Sequence, residues 1–191
     1  MLEPIKITFA DKILAKVFLP LFPMWIRPNH LTALRLFLTP LVIWLFWNER
    51  YLGGGILFIL TAFTDALDGA MARTRNQVTS FGKMFDPLAD KILICTVVYI
   101  LVLKYVNVYA AWIIIVLEAV IILAALIKRG NGSTHIQSNI WGKIKMNLQV
   151  WGVVILLLSI VFNIEQLLAV SQGTFYLAIA FATMSLFTYG I

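Results

Sequence analysis

One cysteine, two histidines and nine acidic residues are all that 191 positions hold of thiol, imidazole and negatively charged side chains. The single thiol, Cys95, lies in an apolar run. It can form no intrachain disulfide, and it reads as a small packing side chain. Charge of either sign is sparse: 13% of residues are charged against 61% hydrophobic, and the mean hydropathy is +0.92. No soluble fold could cover that much apolar surface, so the composition excludes a soluble globular domain and indicates a polytopic membrane protein. The length fits one domain over 1–191. There is no low-complexity segment or convincing repeat, and no basic-aromatic groove pattern, so nucleic acid is not expected as a partner. No cleavable signal peptide is expected either, because the first long apolar run comes after a charged segment and lacks a small-residue cleavage site. The net charge of +6 is of the kind that sits in cytoplasmic loops beside anionic headgroups.

Residues 1–28 are too polar to span a bilayer. Asp11, Lys12 and Lys16 fall among apolar residues at helical spacing, which predicts a short amphipathic helix lying in the interface. Pro20 and Pro23 end it, Trp25 belongs at headgroup depth, and Asn29 is the expected N-cap of the first span. Six apolar stretches of roughly 20 residues then predict a six-helix membrane bundle over 31–190, with spans near 31–49, 52–73, 82–104, 109–128, 142–163 and 173–190. Basic residues concentrate before the first span and around the 74–81 and 129–141 loops, so these loops and both termini are expected on the cytoplasmic side.

Against this background four aspartates stand out: Asp65 and Asp68 in the second span, Asp86 and Asp90 in the third. Carboxylates at such depth are costly unless paired, hydrated or metal-bound. The two spans form a hairpin about Gln77-Val78, and Asp68/Asp86 and Asp65/Asp90 are each nearly equidistant from that midpoint. Equal sequence distance along helices means equal depth, and the i,i+3 and i,i+4 spacings put each pair on one face. Four converging carboxylates with no His or Cys nearby suit hard divalent cations, Mg²⁺ or Mn²⁺, with two ions natural for clamping a phosphoryl group. Gly69, Ala72 and Gly82 allow close approach on the same hairpin, and Arg73, one turn beyond Gly69, suits a phosphate. The competing structural reading makes some of these aspartates interhelical glue, with Asp86 before Pro87 an N-cap. A cation or proton transporter is the competing function.

The pattern Asp65-x2-Asp68-Gly69-x2-Ala72-Arg73-x8-Gly82-x3-Asp86-x3-Asp90 resembles, at all eight fixed positions, the signature of the CDP-alcohol phosphotransferase family. The resemblance extends to the six-span layout and the N-terminal interfacial helix. It implies transfer of a phosphatidyl group from a CDP-linked lipid to a small alcohol, with release of CMP. It further implies that Asp65, Asp68 and Asp86 bind divalent metal. Asp90 would contribute to the metal site and act as base for the acceptor hydroxyl. Gly69, Ala72, Arg73 and Gly82 would lie with Asp68 around the CDP moiety, and the chain would form a homodimer. A site just inside the cytoplasmic leaflet would keep the lipid tails in the bilayer while CMP leaves to water.

Two further segments bear on the acceptor. Pro28-Asn29-His30-Leu31-Thr32-Ala33-Leu34-Arg35 resembles the PN-x-LT-x-x-R opening of phosphatidylglycerophosphate synthases and their relatives, and Gly142-Lys143-Ile144-Lys145-x3-Gln149 their GK-x-K-x3-Q segment. Arg35, Lys91, Lys143 and Lys145 are therefore candidates for an acceptor phosphate, with glycerol 3-phosphate first, inositol phosphate second, and unphosphorylated alcohols after them. The two fifth-span lysines read equally well as positive-inside anchors. Those synthases usually carry Arg before an acidic residue in the fourth span, whereas this chain has Leu117-Glu118. Glu118 is expected to pair with Lys91 or with a basic residue of the fifth span. His30 and His135 read as a helix-start residue and a solvated loop residue.

Overall fold

The computed structural model describes residues 8–23, 26–75, 80–130 and 140–188, with backbone alone described over 80–87 and at a few other helical positions. Trp25, the hairpin midpoint at Gln77-Val78 and the loop carrying His135 lie outside the described residues. The described residues are almost all helical: α1 (Phe9–Val17), a 3₁₀ turn (Leu19–Leu21), α2 (Pro28–Trp47), α3 (Tyr51–Thr74), α4 (Ser80–Tyr105), α5 (Val108–Gly130), α6 (Ile140–Phe162) and α7 (Glu165–Thr188). The chain divides into two compact units, Met1–Asn48 with Gly53–Leu93, and Glu49–Leu52 with Ile94–Ile191.

In the first unit α1 begins with a reciprocal cap. Thr8 Oγ1 accepts from the Asp11 N–H at 3.3 Å, and the Asp11 carboxylate accepts from the Thr8 N–H at 2.8 Å, satisfying two donors that a helix start leaves open. Leu19, Leu31, Leu67 and Met71 form a buried apolar cluster, and Leu14, Ala15, Phe18, Phe22, Ile26 and Phe63 pack on it. The chain thus folds back on the start of α2 and the end of α3. Helix α2 starts at Pro28, with Arg27 as its N-cap rather than Asn29. Proline suits that first position because its missing N–H would be an orphan there anyway. Gly54 makes room for the fully buried Phe46, whose ring would lie 3.1 Å from any Cβ at that site.

In the second unit α7 packs along α6 and also meets α5. Asn163 takes a left-handed conformation, φ 54°, between α6 and α7, a geometry that asparagine tolerates better than most residues. Helix α7 starts at Glu165, eight residues before the expected span at 173. Ser171 donates to the Leu168 carbonyl at 2.8 Å and Gln172 to the Tyr105 carbonyl at 2.9 Å.

Among the described residues α2, α3, α6 and α7 are long and apolar enough to cross a membrane, and α5 holds a shorter apolar stretch, Val108–Ala124. Large apolar side chains stand exposed along them, Phe37, Trp151 and Phe187 among the most open. This is the make-up of an integral membrane all-α protein.

The α6–α7 contact is testable. A Cβ on Gly152 would lie 2.8 Å from both the Phe175 ring and the Thr174 hydroxyl, whereas one on Gly173 meets nothing within 4 Å. Gly152→Ala is expected to cost about 1–3 kcal/mol through overpacking and to lower the thermal midpoint in detergent. Gly173→Ala should leave it unchanged or raise it.

Candidate active site

The feature that organises the first unit is Arg35. Its side chain, 0% exposed, leaves α2 and meets two carboxylates of α3: Nη1 donates to Asp65 Oδ1 at 2.7 Å and Nη2 to Asp68 Oδ2 at 2.5 Å. Asp65 and Asp68 can both be reached because residues three apart share a helix face. They differ in setting: the Asp65 side chain is 44% exposed and that of Asp68 2%. One guanidinium thus balances two carboxylates in an apolar surrounding, and only its Nε is buried without a partner. Arg35, a candidate for an acceptor phosphate from the sequence, lies against the aspartates.

Asp90 lies half-buried on α4, within electrostatic reach of Asp65, Arg35 and Lys91, and Lys91 is half-buried beside it. Asp86 and Gly82 fall on α4, but their side chains lie outside the described residues. Helix α4 starts at Ser80, so Asp86 before Pro87 is inside the helix and is not its N-cap. Among the described residues, which leave out the Asp86 carboxylate, no group of three or more His, Cys, Asp or Glu is close enough together to hold a metal.

Toward the end of α3, Arg73 folds back over Gly69, where a Cβ would come within 3.0 Å of Nη2 and 3.3 Å of Nη1. Ala72 is half-buried beside it. Arg73 also makes a two-point contact with Asp11 of α1: Nε donates to Oδ2 at 2.8 Å and Nη2 to Oδ1 at 2.6 Å. Arg73, then Thr8, hold the Asp11 carboxyl well below the usual carboxylate range. A depressed folded pKa means the contact stabilises fully above the unfolded value of about 4. That stabilisation is lost as pH falls from there through the folded value. Two residues on, Arg75 donates to the carbonyls of Phe22 at 3.0 Å, Leu19 at 3.2 Å and Ile26 at 3.4 Å. Sequence reasoning missed both contacts. The spacing of Asp11, Lys12 and Lys16 pointed to an amphipathic helix, but nothing local pointed to a partner 62 residues away.

In the second unit Glu118 on α5 is paired, as expected, with a basic residue of α6. Lys145 Nζ donates to Glu118 Oε1, and Gln149 Nε2 donates to the same oxygen at 3.3 Å. All three are buried, and Glu118 Oε2 has no partner among the described residues. Lys143 is exposed. His30 is the expected helix-start residue, its Nδ1 accepting from the Arg27 N–H at 3.3 Å.

A family model described as CDP-alcohol phosphatidyltransferase matches residues 25–187. A protein of Bacillus subtilis is 35% identical over 153 residues, covering 71% of this chain and 78% of that protein. One of Mycoplasma pneumoniae is 30% identical over 187 residues, covering 84% and 82%. One of Rickettsia typhi is 48% identical over 80 residues, covering 40% of this chain and 45% of that protein. All three bear the name CDP-diacylglycerol–glycerol-3-phosphate 3-phosphatidyltransferase. The chain spans less than half the length of the Rickettsia relatives that it matches.

The buried Glu118–Lys145 pair makes a prediction of its own. Glu118→Leu strands an ammonium among apolar side chains and is expected to cost about 3–5 kcal/mol. The double variant Glu118→Leu with Lys145→Met removes both charges and should recover most of the midpoint in thermal unfolding.

Proposed function

The chain belongs to the CDP-alcohol phosphatidyltransferase family, and we propose that it transfers a phosphatidyl group from a CDP-diacylglycerol-type lipid to glycerol 3-phosphate, releasing CMP, in phospholipid biosynthesis. The observation that carries this reading is the pairing of Asp65 and Asp68 on one face of α3 around a buried guanidinium, with Asp90 in electrostatic reach. Glycerol 3-phosphate is preferred to inositol phosphate because the relatives carry it in their names.

In the proposed reaction Asp90 accepts the proton of the acceptor hydroxyl as its oxygen attacks the phosphorus that bears the lipid. The bond from that phosphorus to the bridging oxygen breaks, and the electron pair leaves with CMP. Arg73, for whose guanidinium Gly69 leaves room, receives the diphosphate, with Asp68, Gly69, Ala72 and Gly82 completing the CDP site. Lys143, exposed at the start of α6, and Lys91 are candidates for the acceptor phosphate. Arg35 and Lys145 already meet carboxylates, and a phosphate there would have to share them. The aspartates also suit Mg²⁺ or Mn²⁺: their donors are all oxygen, and the seating of Arg35 indicates that positive charge is stabilised between Asp65 and Asp68. Asp65, Asp68, Asp86 and Asp90 would hold two such ions, whose chemistry is to neutralise the diphosphate and stabilise CMP as it leaves.

In the same reading α2 to α7 are six spans and α1 lies in the interface, exposing Lys12, Ile13, Lys16 and Val17. The site and both termini face the cytoplasm, and the chain acts as a homodimer.

Purified protein with CDP-diacylglycerol, Mg²⁺ and a panel of acceptors tests the reading, with CMP release measured and the lipid product identified by mass spectrometry. Glycerol 3-phosphate should support turnover. Asp90→Asn should lower it by about 10²–10⁴, and Asp65→Ala should bring it to background. Near-normal CMP release in both variants would sink the mechanism. Turnover with inositol phosphate alone would change the acceptor.

A further inference from the structure

We propose that Asp11 is a positioning residue for the donor: it fixes the Arg73 guanidinium so that one edge is engaged by α1 and the remaining nitrogen is presented to the donor diphosphate. This rests on the reading of Arg73 as a diphosphate ligand. Asp11 precedes the stretch 25–187 that the family model matches, so the family pattern carries no information about it. Asp11 is 2% exposed although Lys12, Ile13, Lys16 and Val17 of the same short helix are exposed. Burial of a charge on such an element needs a partner, and the partner is Arg73.

The geometry is selective. Nε and Nη2 of Arg73 are occupied by the two Asp11 oxygens, and Nη1 has no protein partner among the described residues. Two-point contact of this kind fixes the plane of the guanidinium as well as its place. Gly69 lies directly beneath, where any Cβ would push the guanidinium away. Asp11 is itself held by the Thr8 N–H. Arg75 and the apolar cluster around Leu19 fasten the segment after α1, so the attachment of α1 does not depend on Asp11 alone. An arginine at a helix end is otherwise free to sample many rotamers. Ordering it in advance removes that entropy cost from the binding step. The expected signature is a weakened donor interaction with little change in the chemical step.

The test compares wild type, Asp11→Asn and Asp11→Glu in the full chain. Steady-state CMP release is read against donor and acceptor concentration, CDP binding with Mg²⁺ is measured by calorimetry, and thermal midpoints are recorded. Asp11→Asn keeps the shape and loses the charge. It should raise donor KM and weaken CDP binding by roughly tenfold, leaving kcat and acceptor KM within about twofold. Asp11→Glu should recover part of the loss. If Asp11→Asn does not fold, Asp11→Glu alone should show a smaller donor KM increase at unchanged kcat. Unchanged donor KM and CDP binding, or a loss confined to kcat, overturns the proposal while leaving phosphatidyl transfer standing. If wild type releases no CMP with any acceptor yet binds CDP more tightly than Asp11→Asn does, the transfer reading fails and the role of Asp11 stands. Absence of CDP binding by wild type overturns both.

Discussion

A guanidinium buried among apolar helices is tolerable only where carboxylates meet it, and the first unit is built around one such meeting. Arg35 reaches Asp65 and Asp68 from a position where its own side chain has no contact with solvent. Removing water from three charges is costly, and their attraction offsets that cost only if geometry and hydrogen bonding are good. The geometry is met because the aspartates are three residues apart on α3 and the two terminal nitrogens of arginine diverge to one each. A sliding of α2 along α3 by one residue would separate the charges, so the ion pair pins the register of two helices whose apolar faces alone would not. Apolar side chains gain little by choosing one another over lipid; a charged cluster supplies the discrimination.

The same division governs the N-terminal segment. Its attachment to α3 combines an apolar cluster, which is permissive, with two arginines, which are selective. Arg75 takes three backbone carbonyls between Leu19 and Ile26, while Arg73 takes a side chain. Carbonyl acceptors do not depend on which residues supply them, so the Arg75 contacts fix the path of the chain without constraining its sequence. The Arg73 contact is sequence-dependent and lies beside Gly69, in the stretch that carries Asp65 and Asp68. Path and chemistry are therefore held by neighbouring residues with separate tasks.

How much of this could be read beforehand depends on the range of each signal. Helices α2 to α7 were visible because apolar runs of bilayer length are a property of consecutive residues. Their ends were less so. The stretch 165–172, with Glu165, Gln166, Ser171 and Gln172 among apolar residues, fell outside the expected span, yet it is helical, and Gln172 meets the Tyr105 carbonyl. Proline at the first position of α2 displaced the expected cap from Asn29 to Arg27. The aspartate spacing could be read because helical rise and period are fixed. Pairing between distant segments could not. Arg35 had no local reason to prefer Asp65 and Asp68 over a phosphate, and Glu118 had Lys91 and the two fifth-span lysines as candidates until Lys145 proved to be its neighbour.

Arg35 and Glu118 also show what paired burial leaves behind. In the first cluster Nε of Arg35 has no partner; in the second it is Oε2 of Glu118. An arginine has five donors and a carboxylate about four acceptor sites, so two contacts to the one and two to a single oxygen of the other cannot exhaust either. A cluster selected only to fasten helices would gain by replacing such groups with apolar side chains of similar volume, since buried ion pairs seldom surpass good packing. Their place in helices otherwise so apolar fits a gain in specificity rather than in net stability: they fix which helix faces meet. In the Arg35 cluster the Asp65 carboxylate is partly exposed and that of Asp68 is sealed, so one guanidinium meets its two partners in different surroundings, one wet and one dry.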